Sequence, residues 1–205
     1  MHISEGILSA PVLITGAALA AVGISVGLKK MDYEKIPQVA VLSAAFFVAS
    51  LIHVPIGPSN VHLVLNGING LLLGWMCFPS ILVALTLQTI LFQFGGITVL
   101  GVNTVNMALP GVICYYLFAG LINRKRKPVY LIAAFLCGFL SVFFSSILMA
   151  LSLLFTEESF ISAAKLIVLA HLPMMIIEGL ITLFCVVFLK RVKPEIFKGI
   201  HEPVD

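Results

Sequence analysis

The chain has 205 residues, 60% of them hydrophobic and 10% charged, with a formal net charge of +3. Soluble domains carry about 25% charged residues, and a mean hydropathy of +1.15 excludes a water-soluble fold. Twelve Lys and Arg against nine Asp and Glu are too few and too scattered for nucleic-acid binding.

A transmembrane helix needs roughly 20 apolar residues, so the chain holds about seven spans with short loops and no ATP-binding domain. Active transport would therefore draw its energy from a partner chain. The first segment, residues 1–6, contains no Lys or Arg, and the apolar run that follows is too long for a signal h-region. The N-terminus is expected to be retained. The predicted spans are 8–28, 36–54, 61–76, 79–94, 103–122, 130–155 and 163–190, followed by a tail, 191–205. Spans three and four are each near the minimum length and share a tight connection, Gly74 to Ser80. The expected fold class is all-α: a single polytopic transmembrane domain, a bundle of seven helices.

Sidedness follows from charge. Lys29, Lys30 and Lys35 lie between spans one and two; Arg124, Lys125, Arg126 and Lys127 between spans five and six; Lys190, Arg191, Lys193 and Lys198 after span seven. Seven spans put all of these on one side, leaving Lys165 with Glu157 and Glu158 on the other. Basic loops stay cytoplasmic, so the N-terminus is expected outside and the C-terminus in the cytoplasm. The small residues of span one (Gly16, Ala17, Ala20, Ala21, Gly23, Gly27) permit close helix approach, either inside the bundle or towards a membrane partner. Cys77, Cys114, Cys137 and Cys185 are far apart in apolar stretches, without a CxxC pair, and read as buried thiols.

The outer side gathers His2, His53, His62, Asn103 and Asn106 in loops almost free of charge. At Met1-His2 the free amine, the amide nitrogen of residue 2 and the imidazole Nδ1 can bind one metal in two fused chelate rings. This planar nitrogen set favours Ni(II) or Cu(II), and a second imidazole is the obvious fourth ligand. The plainer reading is a frayed tail. Between spans two and three, Pro55, Gly57 and Pro58 prevent a helix and force a turn. Non-helical backbone at membrane depth must be buried in protein or line a cavity, so this loop is expected to fold inward and present His53 and His62. Gly95, Gly96 and Gly101 precede Asn103 and Asn106, which share one helical face. The asparagines either cap span five or orient a ligand histidine or the N-terminal segment. Within span seven, His171 and Glu178 lie about two turns apart, with Pro173 expected to kink the helix. Glu178 either hydrogen-bonds across helices or lies with His171 on a metal or coupling path; the structural reading is favoured. His201 reads as a solvated residue of the tail.

These residues resemble a family. Met1-His2-Ile3-Ser4-Glu5-Gly6 before a transmembrane run, His53-Val-Pro, Ser59-Asn-Val-His62-Leu, Gly95-Gly96-Ile-Thr, Gly101-Val-Asn103-Thr-Val-Asn106-Met and His171-Leu-Pro with Ile-Glu178-Gly are together similar to CbiM/NikM proteins. Those are the substrate-capturing S components of energy-coupling-factor (ECF) transporters for cobalt and nickel. The resemblance implies a seven-helix component with an extracytoplasmic nitrogen site for Ni(II) or Co(II) as transported substrate, with no organic cofactor. The implied ligands are Met1, His2 and His62, with His53, Ser59, Asn103 and Asn106 as further ligands or supporting residues. It also implies a cell-membrane location and partners: a transmembrane coupling component, two ATP-binding subunits and a small accessory membrane protein, separate here because the chain stops at Asp205. No nucleotide-binding GxxxxGK[ST] occurs, and the chain is expected not to be an enzyme. The alternatives are a membrane cytochrome with histidine haem ligands, or a membrane-embedded hydrolase using Glu178 and His171, for which no HExxH or nucleophile–base pair is evident.

Overall fold

A computed structural model describes residues 2–56, 59–124 and 126–198, without the side chains of 53–61 and 198. Met1, Lys125 and His201 lie outside the described residues. Helix α1 (Ala10–Lys29) begins at a Pro in its first turn, where the missing N–H has no helical partner to lose, and ends on Lys29. The other helices are α2 (Ile36–Ala49), α3 (Asn66–Leu73), α4 (Cys77–Phe92), α5 (Leu100–Ile122), α6 (Lys127–Leu154), α7 (Ile161–Ala170), α8 (Leu172–Val192) and α9 (Glu195–Lys198). Three short strands, β1 (His2–Ile3), β2 (His53–Ile56) and β3 (Ser59–His62), form a sheet in the order β1-β3-β2.

The fold is all-α apart from this small sheet. Five helical stretches are long and apolar enough to cross a membrane (10–29, 66–92, 100–122, 127–154 and 158–192), and α2 is a shorter apolar helix. Large apolar side chains point outward along them, among them Ile14, Leu19, Phe184 and Phe188. In water that surface would drive aggregation; in a bilayer it meets acyl chains. The molecule is a multi-pass membrane protein.

Several predicted bounds need correction. The third predicted span, 61–76, begins as strand β3 and becomes helical only at Asn66, so α3 has just 8 residues. Its contacts reveal its course. Asn66 reaches the Met107 carbonyl, Gly70 packs on Gly111 and Gly74 on Tyr115, so α3 runs parallel to α5. Cys77 then returns to Ala108: the chain turns back at Gly74, whose φ of +54° belongs to the region that favours glycine. Helix α4 next runs alongside α2, with Ser43 Oγ donating to the Ser80 carbonyl and Gln88 Nε2 to Ser50 Oγ. The seventh predicted span is not one helix; it breaks at His171, between α7 and α8, because Pro173 cannot donate a backbone hydrogen bond.

Helices α6 and α8 are antiparallel, with Lys190 over the Tyr130 ring at 4.1 Å and Gly138 against Glu178. The basic residues at the helix ends, from Lys29 to Lys193, thereby gather at the end of the bundle opposite the sheet. The glycines of α1 face inward: Gly16 lies against Val102, Gly23 against the Phe78 ring, and Gly27 against Trp75 and Pro79. Gly16, Ala20, Gly23 and Gly27 are buried packing residues of the bundle, whereas Ala17 and Ala21 are exposed. All four cysteines are free thiols.

Candidate metal centre

The centre is built on strand β3. It pairs antiparallel with β2, His53 opposite His62 and Ile56 opposite Ser59, and with the N-terminal strand, Asn60 opposite His2 and Ser59 opposite Ile3. The Pro-rich loop is thus a hairpin, with the start of the chain as its third strand. The sheet brings His2 and His62 together. Their rings stack with centroids 4.5 Å apart at 23°, and both residues are buried, at 2% and 0% exposure. Phe94 flanks His2 at 6.4 Å, and Phe92 lies next to Phe94, an apolar wall that keeps water from the imidazoles.

The state of His62 can be read from its bonds. Its Nδ1 is 2.7 Å from the Leu63 carbonyl oxygen, an atom that only accepts, so Nδ1 carries the proton. Nε2 then presents a lone pair, and it is buried without a hydrogen-bond partner among the described residues. Burial above all holds the His62 pKa well below its usual value. A neutral imidazole with one bare nitrogen is the form that binds a metal.

The N-terminal strand is locked in place from three directions. Asn103 Oδ1 accepts from Ile3 N at 3.0 Å, and Asn103 Nδ2 donates to Ile3 O at 3.1 Å. One side-chain amide therefore acts as a fourth strand. Glu5 N donates to Gly95 O at 3.0 Å, and Glu5 Oε1 accepts from Thr98 N. Gly95 lies close against the clamp: a Cβ there would sit 3.2 Å from Asn103 Nδ2 and 3.7 Å from His2 Cβ, and its φ of +80° is one that favours glycine. Gly96, with φ +149°, could not bear a side chain, since its Cβ would lie 2.4 Å from Glu5 Oε2.

Of the two readings of the asparagines, Asn103 orients the N-terminal segment and is not a cap, because α5 starts at Leu100 behind Val99. Asn106 turns away, pairing with Ser152 of α6 at 3.4 Å beside a groove of about 490 Å³ between α1, α5 and α6. Glu178 hydrogen-bonds across the bundle, its Oε1 accepting from Val64 N at 2.5 Å and from Leu65 N at 2.9 Å. His171 Nδ1, at the break between α7 and α8, contacts the Ile167 carbonyl of α7 at 2.7 Å. The side chains of His53 and Ser59 lie outside the described residues, as does Met1. Glu5 and Phe94 were not singled out by the sequence; the available signal for Glu5 was its place as the only Asp, Glu, Lys or Arg in residues 1–28.

Among the described residues no three His, Cys, Asp or Glu side chains converge. Side chains alone make no cage here. Two imidazoles beside the start of the main chain suit a site completed by backbone nitrogen.

Comparison with known proteins places the chain in a family. A 41% identical protein of Haemophilus influenzae, named for metal transport, matches over 96% of each chain. The fused nickel transport protein NikMN of Rhodobacter capsulatus is 40% identical across 54% of this chain and 34% of its own length. A crystal structure of a transition metal transporter superimposes with a TM-score of 0.82 at 25% identity, covering 98% of each chain. Residues 2–196 match the family model CbiM, described as cobalt uptake substrate-specific transmembrane region. The chain belongs to the CbiM family.

Proposed function

We propose that this chain is the substrate-capturing component of an ECF-type importer for Ni(II) or Co(II). The observation that carries the reading is the buried contact between His2 and His62, sixty positions apart in sequence, with the Nε2 of His62 bare. The ligands are the amine and amide nitrogens of Met1-His2, the Nδ1 of His2 and the Nε2 of His62, with His53 in register beside His62. The bundle crosses the membrane seven times, with the N-terminus outside and the basic end in the cytoplasm. The metal is cargo, and its release is driven by a transmembrane coupling component and two ATP-binding subunits, with a small accessory membrane protein; the fusion in the relative NikMN supports a partner for a chain of this kind.

The alternatives are less favoured. Imidazoles stacked at 4.5 Å leave no room for a macrocycle between them, and His171 and Glu178 each bond to backbone rather than to one another. The test is calorimetric titration of Ni(II) and Co(II) into protein with an authentic Met1 and into protein carrying one extra N-terminal residue. Loss of binding in the extended protein is expected, because the amine leaves its chelate position. Equal affinity in the two would overturn the N-terminal site.

A further inference from the structure

We infer that Glu178 acts on the metal-binding imidazole of His62 through a single peptide group, as a remote positioning residue that fixes which ring nitrogen is bare and how strongly it donates. This rests on the proposed role of His62 as a ligand. The Leu63 carbonyl that accepts from His62 Nδ1 at 2.7 Å and the Val64 N–H that donates to Glu178 Oε1 at 2.5 Å belong to the same amide plane. The order is carboxylate, amide N–H, amide carbonyl, imidazole Nδ1–H and finally the Nε2 lone pair. Hydrogen bonds in such a chain polarise one another. Negative charge on Glu178 draws the Val64 proton, enriches the Leu63 oxygen and tightens its hold on Nδ1–H. Electron density at Nε2 rises, and the alternative tautomer is disfavoured. Metal-ligating histidines commonly donate directly to a carboxylate or carbonyl; here a backbone amide stands between imidazole and carboxylate.

The location supports a dedicated role. Glu178 is 0% exposed in α8, where an ionised carboxylate is costly unless hydrogen-bonded. Its Oε1 also takes the Leu65 N–H at 2.9 Å, and Leu65 is held at φ +52°, an uncommon conformation for a non-glycine residue. Two consecutive N–H groups thus converge on one oxygen at the junction of β3 and α3. The bond from Leu65 holds the junction; the bond from Val64 reaches the imidazole.

The test uses Glu178→Gln, which keeps an accepting oxygen and the side-chain shape but removes the charge. Wild type, E178Q and H62A, each with an authentic start, are compared by Ni(II) calorimetry, thermal unfolding and ¹⁵N-histidine NMR of the metal-free protein, the His62 resonances being assigned by their loss in H62A. E178Q is expected to unfold near the wild-type temperature, to shift the His62 Nε2 resonance and to bind Ni(II) about ten- to a hundredfold more weakly. If H62A binds as tightly as wild type, His62 is not a ligand and the proposed function fails. If H62A loses binding while E178Q matches wild type in affinity and in the His62 spectrum, the relay alone is overturned. If E178Q does not fold, Glu178→Asp decides, since it keeps the charge but withdraws the carboxylate from Val64 N: a His62 spectrum and Ni(II) affinity matching wild type overturn the inference, and a shifted Nε2 resonance with weaker binding upholds it.

Discussion

Asn103 uses both ends of its amide on one residue, accepting from Ile3 N and donating to Ile3 O. Asn103→Asp keeps the acceptor and sets a carboxylate oxygen against the Ile3 carbonyl, whereas Asn103→Ala removes both bonds. Leaving a buried backbone group unsatisfied costs roughly 1–3 kcal/mol. If the loss falls on the docked N-terminal strand, Ni(II) affinity drops about ten- to a hundredfold, with Asp at least as damaging as Ala; calorimetry of both variants measures it. Gly96→Ala should act through the same segment, since its Cβ would collide with Glu5, and should weaken binding while leaving the helical circular dichroism intact. At this scale the sequence was half legible. The histidines and asparagines of the outer side stood out as polar groups without an obvious partner. The division between Asn103 and Asn106 did not, because residues three apart on one helix differ only in which neighbour faces them, here β1 for one and α6 for the other.

The elements that escaped the sequence reading are those too short for periodicity to register. Strand β1 has 2 residues and β2 contains a Pro, so neither shows the alternation that marks a strand. Only the breakers between them were legible. Helix α3, with 8 residues, hid within an apolar run that read as a full span. What permits so short a helix at membrane depth is close packing: Cβ atoms on Gly67 and Gly70 would meet the backbones of Gly138 and Gly111 at 2.8 and 2.2 Å. Gly70→Ala therefore drives α3 off α5, with an expected overpacking cost of about 1–3 kcal/mol. Gly74→Ala meets only ordinary contacts, 3.5 Å from Tyr115, and carries the left-handed backbone penalty of about 1–2 kcal/mol. Thermal unfolding in detergent measures both. Only Gly70→Ala should also weaken Ni(II) binding, because α3 continues directly from the strand that carries His62.

Across the whole molecule, hydropathy and charge carried most of the information. The long apolar helices and the basic residues at their ends were legible because a bilayer imposes length and sidedness on composition. The break at His171 was foreseen only as a kink, since the sequence does not reveal how far a Pro disrupts the preceding turn. The proposed orientation has a direct test. Glu157 and Arg126 are exposed at opposite ends of the bundle, while three native cysteines are buried and Cys185 is half-buried. A cysteine replacing Glu157 should react with a membrane-impermeant maleimide on intact cells, and one replacing Arg126 only after permeabilisation. The reverse pattern would place the N-terminus in the cytosol.

The clamp on Ile3 has a consequence for biogenesis. Asn103 is translated 100 residues after the strand it holds, so His2 is made long before its anchor exists. A nascent chain arrested ahead of α5 would carry the first imidazole on an untethered end, and on the proposed function a truncated product would not hold the metal.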